Sequence, residues 1–146
     1  MAIFRCARCG AMNRLADDRL RDKPICGGCK VALDTSGAPQ EVQGEAFARA
    51  IAGSPVPVLV DFWAGWCAPC RMAAPAVADL AKRNAGKALV LKLDVDGDQG
   101  SAAKHHIQSI PAFVVFHGGR EVARRAGVTS SAELEAWMHG AVARAG

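Results

Sequence analysis

Asp61-Phe62-Trp63-Ala64-Gly65-Trp66-Cys67-Ala68-Pro69-Cys70 is the stretch on which the reading of this chain turns. It follows Pro57-Val58-Leu59-Val60, an apolar, β-branched run of the kind buried on both faces of a parallel sheet. It precedes Arg71-Met72-Ala73-Ala74 and Ala76-Val77-Ala78-Asp79-Leu80-Ala81, which favour helix. Two cysteines separated by two residues therefore fall where a strand turns into a helix. Pro69 suits the first helical turn, where no backbone N–H is required. The free N–H groups and positive dipole end of that helix favour a thiolate at Cys67.

Working outward, the six cysteines of the 146-residue chain form three Cys-x-x-Cys pairs: Cys6/Cys9, Cys26/Cys29 and Cys67/Cys70. The N-terminus has no apolar core of a secretory signal, and no run approaches the roughly 20 apolar residues of a membrane span. A cytoplasmic protein with no membrane partner is the expectation. A reducing compartment points the cysteines to metal or redox roles. No pair is followed by His, which argues against haem attachment. The first two pairs, 16 residues apart, match a tetrahedral four-cysteine zinc site of Cys6, Cys9, Cys26 and Cys29. So short a stretch needs such a staple to fold. One structural Zn²⁺ per chain and no organic cofactor are expected.

The net charge of +4 does not imply a nucleic-acid partner. Residues 1–36 carry seven Lys/Arg against four Asp, and four thiolates on one Zn²⁺ would leave them near +1. The other 110 residues carry eleven basic and ten acidic side chains. Neither part is a basic footprint.

The expected division is a four-cysteine zinc-binding module at 1–36 and a larger domain at 37–146. Residues 34–44 have linker composition, with a short strand near Gln40–Val42. A short helix at Glu45–Ala52, the central strand, and a helix to about Asn84 bent at Pro75 follow. Then come a strand at Ala88–Val95, a helix at Gln99–His106, and a strand at Phe113–Phe116. A tight hairpin at His117-Gly118-Gly119-Arg120 leads to a strand at Glu121–Ala126. Ser130 or Ser131 caps a last helix, Ala132–Arg144. The order β-α-β-α-β-α-β-β-α predicts an α/β fold: a central mixed sheet of four or five strands with helices on both faces.

The motif Phe62-Trp63-Ala64-x-Trp66-Cys67-x-Pro69-Cys70, with Asp61 before it and Ile110-Pro111 about 40 residues on, resembles the thioredoxin family over about residues 40–146. With the four upstream cysteines the whole chain resembles the bacterial zinc-binding thioredoxin 2 type, a zinc-ribbon-like module followed by a thioredoxin fold. The resemblance implies that Cys67 is the nucleophile and Cys70 the resolving thiol. It implies that Asp61 is the buried carboxylate beneath them, Lys92 its partner, and Pro111 a cis-proline facing the sulfurs. Trp66, Ile110 and Gly127 would line the substrate groove. Protein disulfides would be the substrates, and an NADPH-dependent flavoprotein thioredoxin reductase the electron source. The family's usual Gly between Cys67 and Pro69 is Ala68 here.

Reduction of a disulfide needs two thiols of unequal access, so Cys67 is expected exposed and Cys70 covered, one turn into the helix. Asp61, after an apolar run, is costly to bury charged; its pKa should rise, letting it take the Cys70 proton. The other reading of Asp61 is a strand-end backbone cap. Lys92 either pairs with Asp61 or carries its ammonium to solvent. Trp63 reads as core, and His105 and His106 as helix-end residues favoured by the dipole. Two functions compete: a protein-disulfide reductase, or a zinc-ribbon interaction module or redox-responsive zinc sensor on a thioredoxin scaffold.

Overall fold

The structure, a computed structural model, describes residues 1–146. Its larger part is a five-stranded mixed sheet. In chain order the elements are β3 (Gln40–Glu41), α1 (Gly44–Gly53), β4 (Val58–Trp63), α2 (Ala68–Arg83), β5 (Leu89–Asp94), α3 (Gln99–Lys104), β6 (Ala112–His117), β7 (Arg120–Ala126) and α4 (Ser131–Ala145). The spatial order is β3-β5-β4-β6-β7; β3, β5 and β4 run parallel, β6 is antiparallel to β4, and β7 is antiparallel to β6. The predicted element order holds. Gly118 and Gly119, both at positive φ, turn the β6–β7 hairpin. Ser130 is the cap of α4, its hydroxyl accepting from the Glu133 N–H at 3.1 Å.

Strand alternation sorts the core into two layers. Val58, Val60 and Phe62 of β4 join Phe47, Ile51, Leu91, Leu93, Val114 and Phe116 on the α1 side. Leu59 joins Val77, Leu80, Val90, Phe113, Leu134 and Met138 on the α2–α4 side. By the same alternation Asp61 and Trp63 lie on the Leu59 face, under α2.

Three expectations change. The helix at Gln99 stops at Lys104, because His106 turns left-handed at φ 56°. His105 at its end is not dipole-favoured as expected: it packs on Phe47 and Phe116, ring centroids 5.6 and 5.3 Å away, and burial holds its pKa below the usual imidazole value. Residues 34–44 are not a free linker. Gly37, at φ 81°, lies so close to α2 that an added Cβ would stand 2.7 Å from the Ala81 carbonyl oxygen.

The N-terminal residues form a ribbon whose strands the composition did not reveal: β1 (Ala2–Arg5) and β2 (Met12–Leu15), antiparallel, with a 3-10 turn at Asp17–Asp22. The ribbon is docked on the larger sheet. Ala2, Ile3 and Phe4 are buried, and the Ile3 N–H donates to the Gly86 carbonyl at 2.9 Å. Arg5 Nη1 donates to Gln40 Oε1, and Gln40 Nε2 returns a bond to the Arg5 carbonyl, each at 2.8 Å.

Candidate active site and metal centre

Cys67 occupies the N-cap of α2 and Cys70 lies in its first turn, Pro69 between them. The two sulfurs are joined as a disulfide, with Cα atoms 5.2 Å apart. The Cys70 N–H donates to Cys67 Sγ at 3.2 Å. This is the contact expected of a helix N-terminus that favours an anionic sulfur. The Arg71 guanidinium donates to the Gly65 carbonyl at 2.7 Å and so closes the loop in front of the helix.

The expected exposure of Cys67 is not what the structure has. Cys67 and Cys70 are each only 4% exposed. In the oxidised form the Cys67 sulfur is turned inward to bond Cys70. Trp63, Val95 and Ile110 pack around the pair, and Cys67 Sγ lies 3.8 Å from the Ile110 carbonyl oxygen. The difference between the two sulfurs here is electrostatic, in the N–H group aimed at Cys67.

Pro111 follows a cis peptide bond from Ile110, and its carbonyl accepts from the Gly127 N–H at 3.0 Å. That hydrogen bond ties Gly127 to Pro111, and Ile110, the residue before Pro111, packs on the cysteine pair. Trp66 is 69% exposed, its indole N–H donating to Asp96 Oδ2 at 2.8 Å. Nothing in the sequence marks Asp96 as the anchor of that ring.

Asp61 is buried, with Oδ1 lacking a hydrogen-bond partner. Burial pushes its pKa up to about 6; Lys92 opposes the rise and Glu41 adds to it. Lys92 is its register partner on β5. Yet no ion pair joins them; the Lys92 ammonium stands over the Trp63 ring, 4.9 Å from its centroid. Trp63, read from sequence as core, thus belongs to this site: it packs on the sulfurs and carries the lysine. The alternation that turns Trp63 to the Asp61 face was available in the sequence; the cation above it was not.

The other four cysteines converge in the ribbon, all four sulfurs within 4.8 Å of one another. Cys6 and Cys29 sulfurs are 3.7 Å apart, Cys9 and Cys26 3.6 Å. A tetrahedron with Zn–S bonds of about 2.3 Å has edges of about 3.8 Å, so the four fit a zinc ion. Backbone N–H groups of Gly28 and Cys29 point at Cys26 Sγ from 3.3 and 3.5 Å. Asn13, which the sequence did not single out, adds its amide at 3.6 Å and accepts from the Gly27 N–H at 2.8 Å. These donors, that of Cys29 foremost, pull the Cys26 pKa down to about 6 against burial. Such bonds orient and stabilise ligating thiolates.

A cysteine pair joined as a disulfide at the N-terminus of a helix, on this sheet, defines a thiol-disulfide oxidoreductase that acts on protein disulfides. The chain belongs to the thioredoxin family: residues 38–140 match the family described as Thioredoxin, and residues 5–31 match the one described as Thioredoxin 2, N-terminal. It is 38% identical over 136 residues to Thioredoxin C-3 of Corynebacterium nephridii, covering 93% of this chain and 92% of that one. It is 39% identical over 99 residues to the Bifunctional thioredoxin reductase/thioredoxin of Mycobacterium leprae (strain TN), covering 68% of this chain and 22% of that protein. Among solved structures it is similar to a mutant thioredoxin from Halobacterium salinarum NRC-1, with TM-score 0.67 and 31% identity, over 73% of this chain and 93% of that one.

Proposed function

We propose that Cys67 and Cys70 carry out the reaction in two steps. The Cys67 thiolate attacks one sulfur of a protein disulfide; the other substrate sulfur leaves with the electron pair, and a mixed disulfide forms at Cys67. Cys70 then gives its proton to the Asp61 carboxylate and attacks the Cys67 sulfur. The Cys67–Cys70 bond closes, and the second substrate thiolate leaves. The substrate gains two electrons and the protein loses two. Lys92 moderates the charge on Asp61. Ile110, Pro111, Gly127 and the exposed Trp66 form the surface on which an extended substrate segment lies.

The observation that carries this reading is the Cys67–Cys70 disulfide at the α2 N-terminus, with the Cys70 N–H on the Cys67 sulfur. An NADPH-dependent flavoprotein thioredoxin reductase restores the dithiol; the relative that joins both activities in one chain supports such a partner. We further take residues 1–36 as a zinc module whose Cys6, Cys9, Cys26 and Cys29 hold one structural Zn²⁺, and 37–146 as the thioredoxin domain. The placement is cytoplasmic. No helix is long and apolar enough to cross a membrane.

The test is a pair of variants in a disulfide reduction assay on insulin. Cys67→Ser should abolish turnover. Cys70→Ser should accumulate a covalent mixed disulfide at Cys67. A turnover that survives Cys67→Ser would overturn the assignment.

A further inference from the structure

Glu41 lies outside the motif and has no role in the steps above. The sheet register gives it one. On edge strand β3, Glu41 is the register partner of Lys92 on β5, and Lys92 is the register partner of Asp61 on β4. Register partners in parallel strands point to the same face. Three charged side chains thus form a row across three adjacent strands on one face of the sheet, Asp61 buried, Lys92 half-buried and Glu41 exposed at the edge, with the one cation in the middle. That cation is bonded to neither carboxylate: no ion pair joins it to Glu41 or Asp61.

The surroundings leave few other charges. From β5, Asp94 stands beside Trp63 as its register partner. From β6, the residue opposite Asp61 is Phe113, which has no charge. From α2, the residues buried on the sheet are Cys70, Ala73, Val77, Leu80 and Ala81, of which only Cys70 titrates. Arg5 of the ribbon bonds Gln40, which alternation turns to the other face.

We propose that Glu41 is a positioning residue for the proton step: it competes with Asp61 for the Lys92 charge and thereby sets the pH at which the Asp61 carboxyl gives up its proton. The inference rests on the reading of Asp61 as acceptor of the Cys70 proton. Without Glu41, Lys92 would act on Asp61 alone and keep it ionised to lower pH, making it a weaker base. With Glu41 ionised at the edge, the proton is held more tightly, nearer the pH at which Cys70 must lose its own. The electrostatics agree in direction. Glu41 pushes Asp61 up. Glu41, exposed at the edge strand, is itself held above its usual range by the partial desolvation of its carboxyl, Lys92 opposing and Asp94 adding.

The experiment follows the ¹³Cγ shift of Asp61 against pH in the oxidised protein, where Cys67 and Cys70 carry no proton. Glu41→Gln should lower the midpoint by roughly 0.3 to 1 pH unit. That is the range for one charge about 10 Å away, two strand spacings, between bulk-water and protein-like screening. Glu41→Asp should keep most of the wild-type midpoint. A Glu41→Gln midpoint within about 0.1 unit of wild type would overturn the proposal. In single-turnover reaction of the reduced protein with an aromatic disulfide, the acid limb of the resolving step should move the same way in Glu41→Gln. An Asp61→Asn variant that resolves at the wild-type rate would instead defeat the proton-acceptor reading; the midpoint in Glu41→Gln would still decide the charge competition.

Discussion

Asp61 shows what the burial of a single carboxyl does to stability. A carboxyl raised to about 6 by burial is bound to its proton more tightly folded than unfolded, where its pKa is about 4. The stability it supports is complete below pH 4 and is lost as pH rises through 6. Above that the ionised form costs about 3 kcal/mol, from a difference of about two pK units. Asp61→Asn should therefore be more stable than wild type at pH 7 by about 2–3 kcal/mol, with the gap closing by pH 4. Urea unfolding at both pH values checks this; equal gaps at pH 4 and 7 would contradict it. The residue's cost was legible in Val58-Leu59-Val60-Asp61. Trp63 is two residues on along the same strand, but Lys92 and Glu41 are distant in the chain and reach Asp61 only through strand register.

At the scale of elements, α2 carries the redox pair at one end and is clamped at the other. Asn84, buried just past its last turn, donates to the Leu80 carbonyl at 2.8 Å and to Glu135 Oε2 of α4 at 2.7 Å. Its amide oxygen is 2.9 Å from His139 Nε2, also on α4. With its oxygen and both amide protons engaged, Asn84 ties the two helices on one face of the sheet. Asn84→Ala should cost about 2 kcal/mol, since a buried amide network loses its centre. Chemical denaturation measures that loss, while reductase turnover below the unfolding transition should stay near wild type. A change under about 0.5 kcal/mol would show the clamp to be idle. Asn84 reads in sequence only as the approximate end of a helix; its bonds to residues about fifty positions later have no local signal.

The whole molecule is a ribbon seated against a sheet, not two bodies on a tether. The seam is tight at Gly86, at φ 81°, where an added Cβ would stand 2.7 Å from the Ala2 Cβ. Gly86→Ala should strain the backbone and push β1 away, costing about 1–2 kcal/mol. The Ile3 amide, bonded to the Gly86 carbonyl, should lose protection from hydrogen exchange; unchanged protection would show that the seam gives way elsewhere. The cluster of Cys6, Cys9, Cys26 and Cys29 gathers the other side of the ribbon. Purified protein should contain one zinc per chain by elemental analysis. Cys6→Ser or Cys26→Ser should lose it while the Cys67–Cys70 pair remains intact. Full metal content in those variants would refute the ligand set.

The chain by itself determined the order of elements from β3 onward, the strand-to-helix placement of Cys67 and Cys70, and the two knuckles around Cys6/Cys9 and Cys26/Cys29. These depend on periodicity, capping and spacing, which act over a few residues. Tertiary structure alone decided that both redox sulfurs are covered when joined and that His105 packs among phenylalanines. It alone seated the ribbon at Gly86 and Gln40, and lined Glu41, Lys92 and Asp61 in one row. Those facts come from strand register and layer packing, which join residues far apart in sequence and leave no periodic trace in it.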